Sequence, residues 1–194
     1  MEKVEIMEDR IFLLKDFVSE RQCEDLIRQS EDIGYEVGNF TDTEHVHVRH
    51  NVCALLEDET LAASFFDRAQ PHLPPKMEER SLHRLYDGFR FYRYDKGQYF
   101  KPHRDGAKML FRRPVQQSYL TFMIYLNAHF EGGETNFFAT MLDARFGHVL
   151  LGVKPEPGTA LIFKHDVWHE GAAVTSGRKY TLRTDVMYVD PPRR

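Results

Sequence analysis

Three side chains have the types and spacing of a metal ligand set: His103 and Asp105, two positions apart, and His169 in the run Trp168-His169-Glu170-Gly171. Two imidazoles and one carboxylate make the facial triad of non-haem Fe(II) sites, which leaves open positions on one face of the metal. A 2-oxoacid can chelate two of those positions and O2 can take the third, so the expected chemistry is oxidation rather than hydrolysis. In a strand, residues i and i+2 point to the same side. His103 and Asp105 therefore face one interior point if their segment is extended, and a distant strand must deliver His169. His-x-Asp is a weak signal by itself in a chain with ten histidines, so the surroundings carry the argument.

The elements that must position these residues follow from local pattern. Residues 11–14 read as an apolar strand. Ser19 caps a helix, with Gln22 three positions on and Phe17, Leu26 and Ile27 as its apolar stripe. Residues 45–52 alternate and read as a strand. Residues 58–69 read as a second helix, ended by Pro71, Pro74 and Pro75. From residue 89 onward the chain reads as strands and turns: 89–94, 119–127, 135–138, 159–163 and 179–188, with turns at Glu131-Gly132-Gly133, Pro157-Gly158 and Ser176-Gly177. Helices followed by many short strands predict a mainly β fold with supporting α-helices, a sandwich or jelly roll.

At 194 residues the chain fits one domain, residues 1–194, with helical and strand support over 1–88 and the β core over 89–190. Charged residues make up 29% and the formal net charge is −4, so no nucleic-acid surface is expected. Cys23 and Cys53 sit among apolar neighbours and read as free thiols rather than a disulfide. The first residues lack an apolar signal core and no run reaches about 18 apolar residues, so neither a membrane span nor export is expected. The default setting is cytoplasmic.

The last strand alternates unusually. Lys179, Thr181, Arg183 and Asp185 share one face, and Tyr180, Leu182, Thr184 and Val186 the other. If the apolar face packs on the helices, the polar face looks inward, where a cation is tolerated only beside an anionic partner. By the same parity Arg90, Tyr92 and Tyr94 share a face, as do Thr121, Met123, Tyr125 and Asn127. Tyrosine and threonine hydroxyls beside a cation make a carboxylate pocket.

These residues resemble the 2-oxoglutarate- and Fe(II)-dependent dioxygenases, in particular the prolyl 4-hydroxylase-type catalytic domain. The run from Tyr94 through Gly97-Gln98, Phe100 and Pro102 to His103-Arg104-Asp105 is similar to that group's Y-x-x-G-Q-x-[YF]-x-P-H-x-D. Thr121 to Asn127 and the block from Gly132 to Phe137 resemble its T-x-x-x-Y-L-x and GGET-x-F elements. The run His169, Val174, Gly177, Lys179 resembles its H-x-x-x-x-V-x-x-G-x-K ending, and the helix from Phe17 to Ile27 resembles its amino-terminal helix. The resemblance implies a double-stranded β-helix (jelly-roll) core. It implies that His103, Asp105 and His169 bind Fe(II), and that Lys179 pairs with the distal carboxylate of 2-oxoglutarate, helped by Tyr125, Tyr94 and Thr121. Arg183 is the competing cation for that carboxylate. Arg178 points the other way by parity.

The expected reaction is hydroxylation of a C–H bond, most simply of a prolyl or similar residue in a protein or peptide, with release of succinate and CO2. The partners are then 2-oxoglutarate, O2 and the substrate, and ascorbate is a candidate reductant for the iron. The alternatives are the same chemistry on a free amino acid or small metabolite, a non-catalytic jelly-roll binding module, and a zinc hydrolase. Asp105 argues against halogenation, because a halide needs a small apolar residue there. His165 reads as structural. His45, His47 and His50 form a cluster without a supporting ligand set. The loop 106–117, with Lys108, Arg112 and Arg113, is a candidate lid. Arg49 and Arg90 are candidate substrate contacts.

Overall fold

The protein is described by a computed structural model covering residues 1–37, 49–111 and 114–191. A hairpin of β1 (Glu2–Met7) and β2 (Ile11–Lys15) precedes helix α1 (Glu20–Ile33). β3 (Glu36–Val37) and β4 (Val52–Glu57) lead to helix α2 (Glu59–Ala69). Then come β5 (Lys76–Met77), β6 (Arg80–Leu85), β7 (Gly88–Tyr94), β8 (Phe100–His103), β9 (Met109–Leu110) and β10 (Gln116–Tyr125). β11 (Phe130–Gly132) and β12 (Thr135–Phe138) precede the short helix α3 (Met141–Phe146). The chain ends with β13 (Leu151–Val153), β14 (Ala160–Lys164), β15 (Trp168–Gly171), β16 (Val174–Gly177) and β17 (Lys179–Val189).

Local chemistry sets the helix starts. Ser19 closes a reciprocal capping box on α1: Gln22 N donates to Ser19 Oγ at 3.2 Å and Ser19 N donates to Gln22 Oε1 at 3.1 Å. Asp58 caps α2 by accepting from Leu61 N at 2.9 Å. α1 and α2 bury Cys23, Leu26, Ala62 and Phe65 in one cluster with Phe89, Phe91, Phe122, Ile124, Leu182 and Val186. The helices therefore cover the outer face of the strands β7, β10 and β17.

Those strands belong to a large antiparallel sheet with the order β1-β2-β14-β10-β17-β7-β4-β3. Its amino-terminal strands are full members: β2 pairs with β14 and β4 with β7. A second sheet, β13-β12-β15-β8, faces it. Between the two lie Phe137 and Val153 from the small sheet and Ile11, Leu13, Tyr125, Leu161 and Phe163 from the large one. Two sheets closed over an interior and buttressed by helices are the jelly roll expected from the pattern.

Several details differ from the sequence reading. β10 begins at Gln116 rather than at 119 and ends at Tyr125. Asn127 accordingly leaves the shared inner face: its side chain donates to Arg178 O at 2.7 Å and accepts from Tyr180 N at 2.8 Å, locking the strand end. Helix α3 and strands β1, β6, β13 and β16 carried no signal strong enough to read. His45 and His47, with most of the proposed 45–52 strand, lie outside the described residues, as do Arg112 and Arg113 of the candidate lid. Part of that loop is a ladder, since β9 pairs with β10. Cys23 is buried, Cys53 is half-buried, and both are free thiols.

Candidate active site

The pairing of β15 with β8 sets His169 directly opposite His103. Their rings lie 4.2 Å apart between centroids. Asp105 follows two residues after His103, and its N–H donates to His165 O at 3.1 Å, which bends the chain end of β8 toward the second histidine. One donor atom from each of His103, Asp105 and His169 lies within 4.8 Å of the others. His103 Nε2 is 3.6 Å from Asp105 Oδ1, and His169 Nε2 is 3.7 Å from Asp105 Oδ2.

Both imidazoles are oriented by their other nitrogen. His103 Nδ1 lies 2.8 Å from Lys101 O and His169 Nδ1 lies 3.0 Å from Val167 O. A backbone carbonyl only accepts, so each Nδ1 carries the proton and each Nε2 presents a lone pair to the cluster. Burial lowers the His169 pKa to about 4, outweighing Asp105, so this ring is neutral at physiological pH. A stacked Phe100 ring, 3.7 Å from the His103 ring, fixes its plane.

Asp105 is braced from the opposite sheet. Thr121 Oγ1 donates to Oδ2 at 2.5 Å, and Arg183 Nη2 lies 3.1 Å from Oδ1. Burial alone would raise its pKa, but Arg183, His169 and His103 hold the carboxyl well below the usual range. Arg183 also reaches Asp185 Oδ1 at 3.4 Å, and His165 Nε2 lies 3.5 Å beyond on the same carboxylate. His165 is thus a structural neighbour of the site, as expected, but the chain of partners through Asp185 could not be read from spacing.

The same cleft runs from this cluster to Lys179, with Tyr92, Tyr94, Met123, Thr135, Phe163 and Thr181 along its walls. The empty space in it, open side included, is about 420 Å³. Lys179 is 3% exposed. Its ammonium donates to Gly133 O at 2.6 Å and stands 5.2 and 5.6 Å from the ring centroids of Tyr94 and Tyr125. Burial lowers its pKa to about 8, against the opposing charge of Glu134. The glycines of the Glu131-Gly132-Gly133 turn have a steric reason. Gly133 has φ +70°, and a Cβ there would sit 3.2 Å from Lys179 Cδ.

The inner faces read from parity are thus largely real. Lys179, Thr181 and Asp185 are buried, and Thr121 and Tyr125 face the interior. Arg183 is engaged with Asp105, four strand positions or about 13 Å of backbone from Lys179. Arg178 pairs outside with Asp95 at 2.5 Å. Tyr125 spends its hydroxyl on Thr135 Oγ1 at 2.7 Å, so its ring, not its hydroxyl, borders Lys179. Thr181 was read from sequence only as part of the inward face of the last strand, and Thr135 only as part of the glycine-turn block; neither was given a role at the site. Their inward parity was available on the 135–138 and 179–188 strands.

The donor set suits Fe(II), being two imidazoles that turn Nε2 to the cluster and one ionised carboxylate. The remainder of the cleft suits an anionic chelator. Its far end holds a buried cation, and Thr181 Oγ1 is buried without a hydrogen-bond partner among the described residues.

Residues 89–184 match the model of the 2OG-Fe(II) oxygenase superfamily. The chain belongs to this superfamily. Its members use Fe(II) and 2-oxoglutarate, and the protein is a 2-oxoglutarate-dependent dioxygenase. Among solved structures it is similar to the viral collagen prolyl hydroxylase of Paramecium bursaria Chlorella virus-1 in its 2OG complex. That match has 21% identity and a TM-score of 0.59, over 93% of this chain and 97% of that one. It is also similar to a Pseudomonas putida prolyl-4-hydroxylase, with 13% identity and a TM-score of 0.62 over 94% and 93% of the two chains. A Trichoplax adhaerens prolyl hydroxylase in complex with a hypoxia inducible factor peptide fragment gives 13% identity and a TM-score of 0.69, over 94% and 84%. At these identities the likeness is one of fold. No curated protein matches the chain. No helix among the described residues is long and apolar enough to cross a membrane.

Proposed function

We propose that this dioxygenase hydroxylates a C–H bond of a prolyl or similar residue in a protein or peptide, releasing succinate and CO2. His103, Asp105 and His169 hold the Fe(II), which with 2-oxoglutarate and O2 supplies the oxidising power. The chain's own residues bind, orient and exclude water. The carbonyls of Lys101 and Val167 keep both Nε2 lone pairs aimed at the metal. Arg183 and Thr121 keep Asp105 ionised and fixed. Lys179 pairs with the distal carboxylate of 2-oxoglutarate, Thr181 offers a further donor, and Tyr94 and Tyr125 wall that end. Phe163, Met123 and Phe100 line the cleft with apolar surface.

The observation that carries this reading is the ammonium of Lys179. It is buried in the same cleft as the three-donor cluster, and among the described residues its hydrogen-bond acceptor is the carbonyl oxygen of Gly133. A buried cation without a carboxylate is costly unless an anion joins it. The prolyl substrate is supported by the shared fold with prolyl hydroxylases, one of them bound to a peptide fragment.

Anaerobic titration of the apo-protein with Fe(II) and then 2-oxoglutarate tests the cofactor pair through the weak visible charge-transfer band of the chelate. The band is expected in the wild type, absent in Asp105→Ala and weakened in Lys179→Ala. A folded, metal-loaded protein that gives no band would overturn the proposal. Mass spectrometry of proline-containing peptides after aerobic turnover then tests the substrate, with one added oxygen as the expected product.

A further inference from the structure

The inner face of the large sheet does not end at Arg183. It continues across β7, β4 and β3 as an open groove lined by Arg90, Cys53, Leu55, Glu57, Tyr86 and Lys108. Register joins this groove to the cleft. Arg183 pairs with Arg90, and Arg90 in turn with Leu55. Tyr92, which lines the cleft, pairs with Cys53, which lines the groove. Lys108 comes three residues after Asp105 and flanks the groove, its Nζ 4.1 Å from the Tyr86 ring centroid. The empty space in the groove, open side included, is about 830 Å³.

Its lining carries both signs, Arg90 and Lys108 with Glu36 and Glu57. Register sets Arg90 beside Arg183 on this wall, with Cys53 on the next strand opposite Tyr92. Arg183 is neutralised by Asp105 and Asp185. Arg90 is half-buried and has no ion pair or hydrogen bond with a carboxylate among the described residues, and neither has Lys108. Like charges directly opposite on neighbouring strands repel. Asp105 and Asp185 answer Arg183 from its own side, which leaves the Arg90 guanidinium on the neighbouring strand free to take an anion of its own. Leu55, 67% exposed on the next strand, offers apolar contact further out.

We propose that the groove takes the substrate as an extended peptide carrying an acidic side chain next to the residue that is oxidised, and that Arg90 binds that carboxylate with Lys108 adding attraction. The inference rests on the reading above, in which iron and 2-oxoglutarate fill the cleft. Length favours a peptide over a free amino acid. From β17 to β3 is three strand spacings, about 14 Å, which an extended chain covers in about four residues. An amino acid at the metal would leave Leu55 and the outer groove untouched.

The test uses the anaerobic protein loaded with Fe(II) and 2-oxoglutarate. Capped Ala-Glu-Pro-Glu-Ala, its Gln and Lys counterparts, and free L-proline are titrated in, and binding is read from the perturbation of the charge-transfer band. The Glu peptide should bind about tenfold tighter than the Gln peptide, as for a hydrogen bond to a charged group. That preference should vanish in Arg90→Gln and turn toward the Lys peptide in Arg90→Glu, with the band of each variant intact before peptide is added. Equal binding of Glu and Gln peptides, a preference that survives both substitutions, tighter binding of L-proline than of any peptide, or no binding by any probe would each overturn the proposal. Absence of the band before any probe is added would instead strike the cofactor reading, and this inference would fall with it.

Discussion

The guanidinium of Arg183 stands 3.1 Å from Oδ1 of Asp105 and 3.4 Å from Oδ1 of Asp185, one cation held between two buried carboxylates. Both partners sit inside the fold, where breaking a pair by removing one member costs about 3–5 kcal/mol. Arg183→Met should therefore lower the unfolding free energy of the apo-protein by an amount of that order in urea titrations. It should also weaken metal binding about 10–100-fold, as expected when the outer partner of a metal ligand is lost. Metal affinity equal to wild type would mean that Asp105 needs no clamp from β17.

Lys179→Met separates binding from stability. Removing the cation should weaken 2-oxoglutarate by about 2–5 kcal/mol, a loss of at least ~30-fold measured calorimetrically on the metal-loaded protein. Metal affinity should stay within about twofold, because the backbone positions of Lys179 and Arg183 are about 13 Å apart along the strand. Replacing a buried ammonium by an apolar chain of similar length should leave the apo-protein equally stable or more stable. A variant that binds 2-oxoglutarate normally would pass the distal carboxylate to another group.

The sequence reading went furthest where a strand's period of two met an unusual residue type. Lys179, Thr181, Arg183 and Asp185 read as an inward polar face, and Lys179, Thr181 and Asp185 are buried, with Arg183 in the cleft wall. His103 and Asp105 read as co-facing, and the cluster is formed. Register was not legible. Nothing in the spacing says that His169 pairs opposite His103, or that Arg90 stands beside Arg183, because both depend on strands far apart in the chain. Nor could parity tell which hydroxyl an inward tyrosine spends: Tyr125 turns to Thr135, while Thr121, expected beside 2-oxoglutarate, turns to Asp105. Asn127 failed for a simpler reason, since alternation holds only while the strand lasts.

Acid should destabilise the metal-free protein through His169. Burial lowers its pKa from 6.5 to about 4 in the folded state. Between those values the unfolded chain binds a proton that the folded chain does not, so stability falls as pH falls through this window. Asp105, held below the ordinary carboxylate range by Arg183 and the two histidines against the effect of burial, adds to the loss at still lower pH. Chemical denaturation at pH 7 and pH 5 should give the lower free energy at pH 5, and His169→Gln should flatten the difference. Equal stability at both values would mean that the folded protein admits the proton on His169.

Alkali should act at the other end of the cleft. Burial brings Lys179 from 10.5 to about 8 in the folded protein, against the pull of Glu134. From about 8 to 10.5 the unfolded chain binds the extra proton, so this residue's contribution to stability rises with pH across that range. Ligand binding runs the opposite way. The distal carboxylate of 2-oxoglutarate needs the ammonium form, so affinity should be flat below about pH 8 and fall above it, toward tenfold per pH unit. Binding above pH 8 should take up a proton, and calorimetry in two buffers of different ionisation enthalpy reads that uptake directly. Neither the fall nor the uptake should appear in Lys179→Met. A wild-type affinity that stays level from pH 7 to 9.5 would mean that Lys179 does not carry the anion.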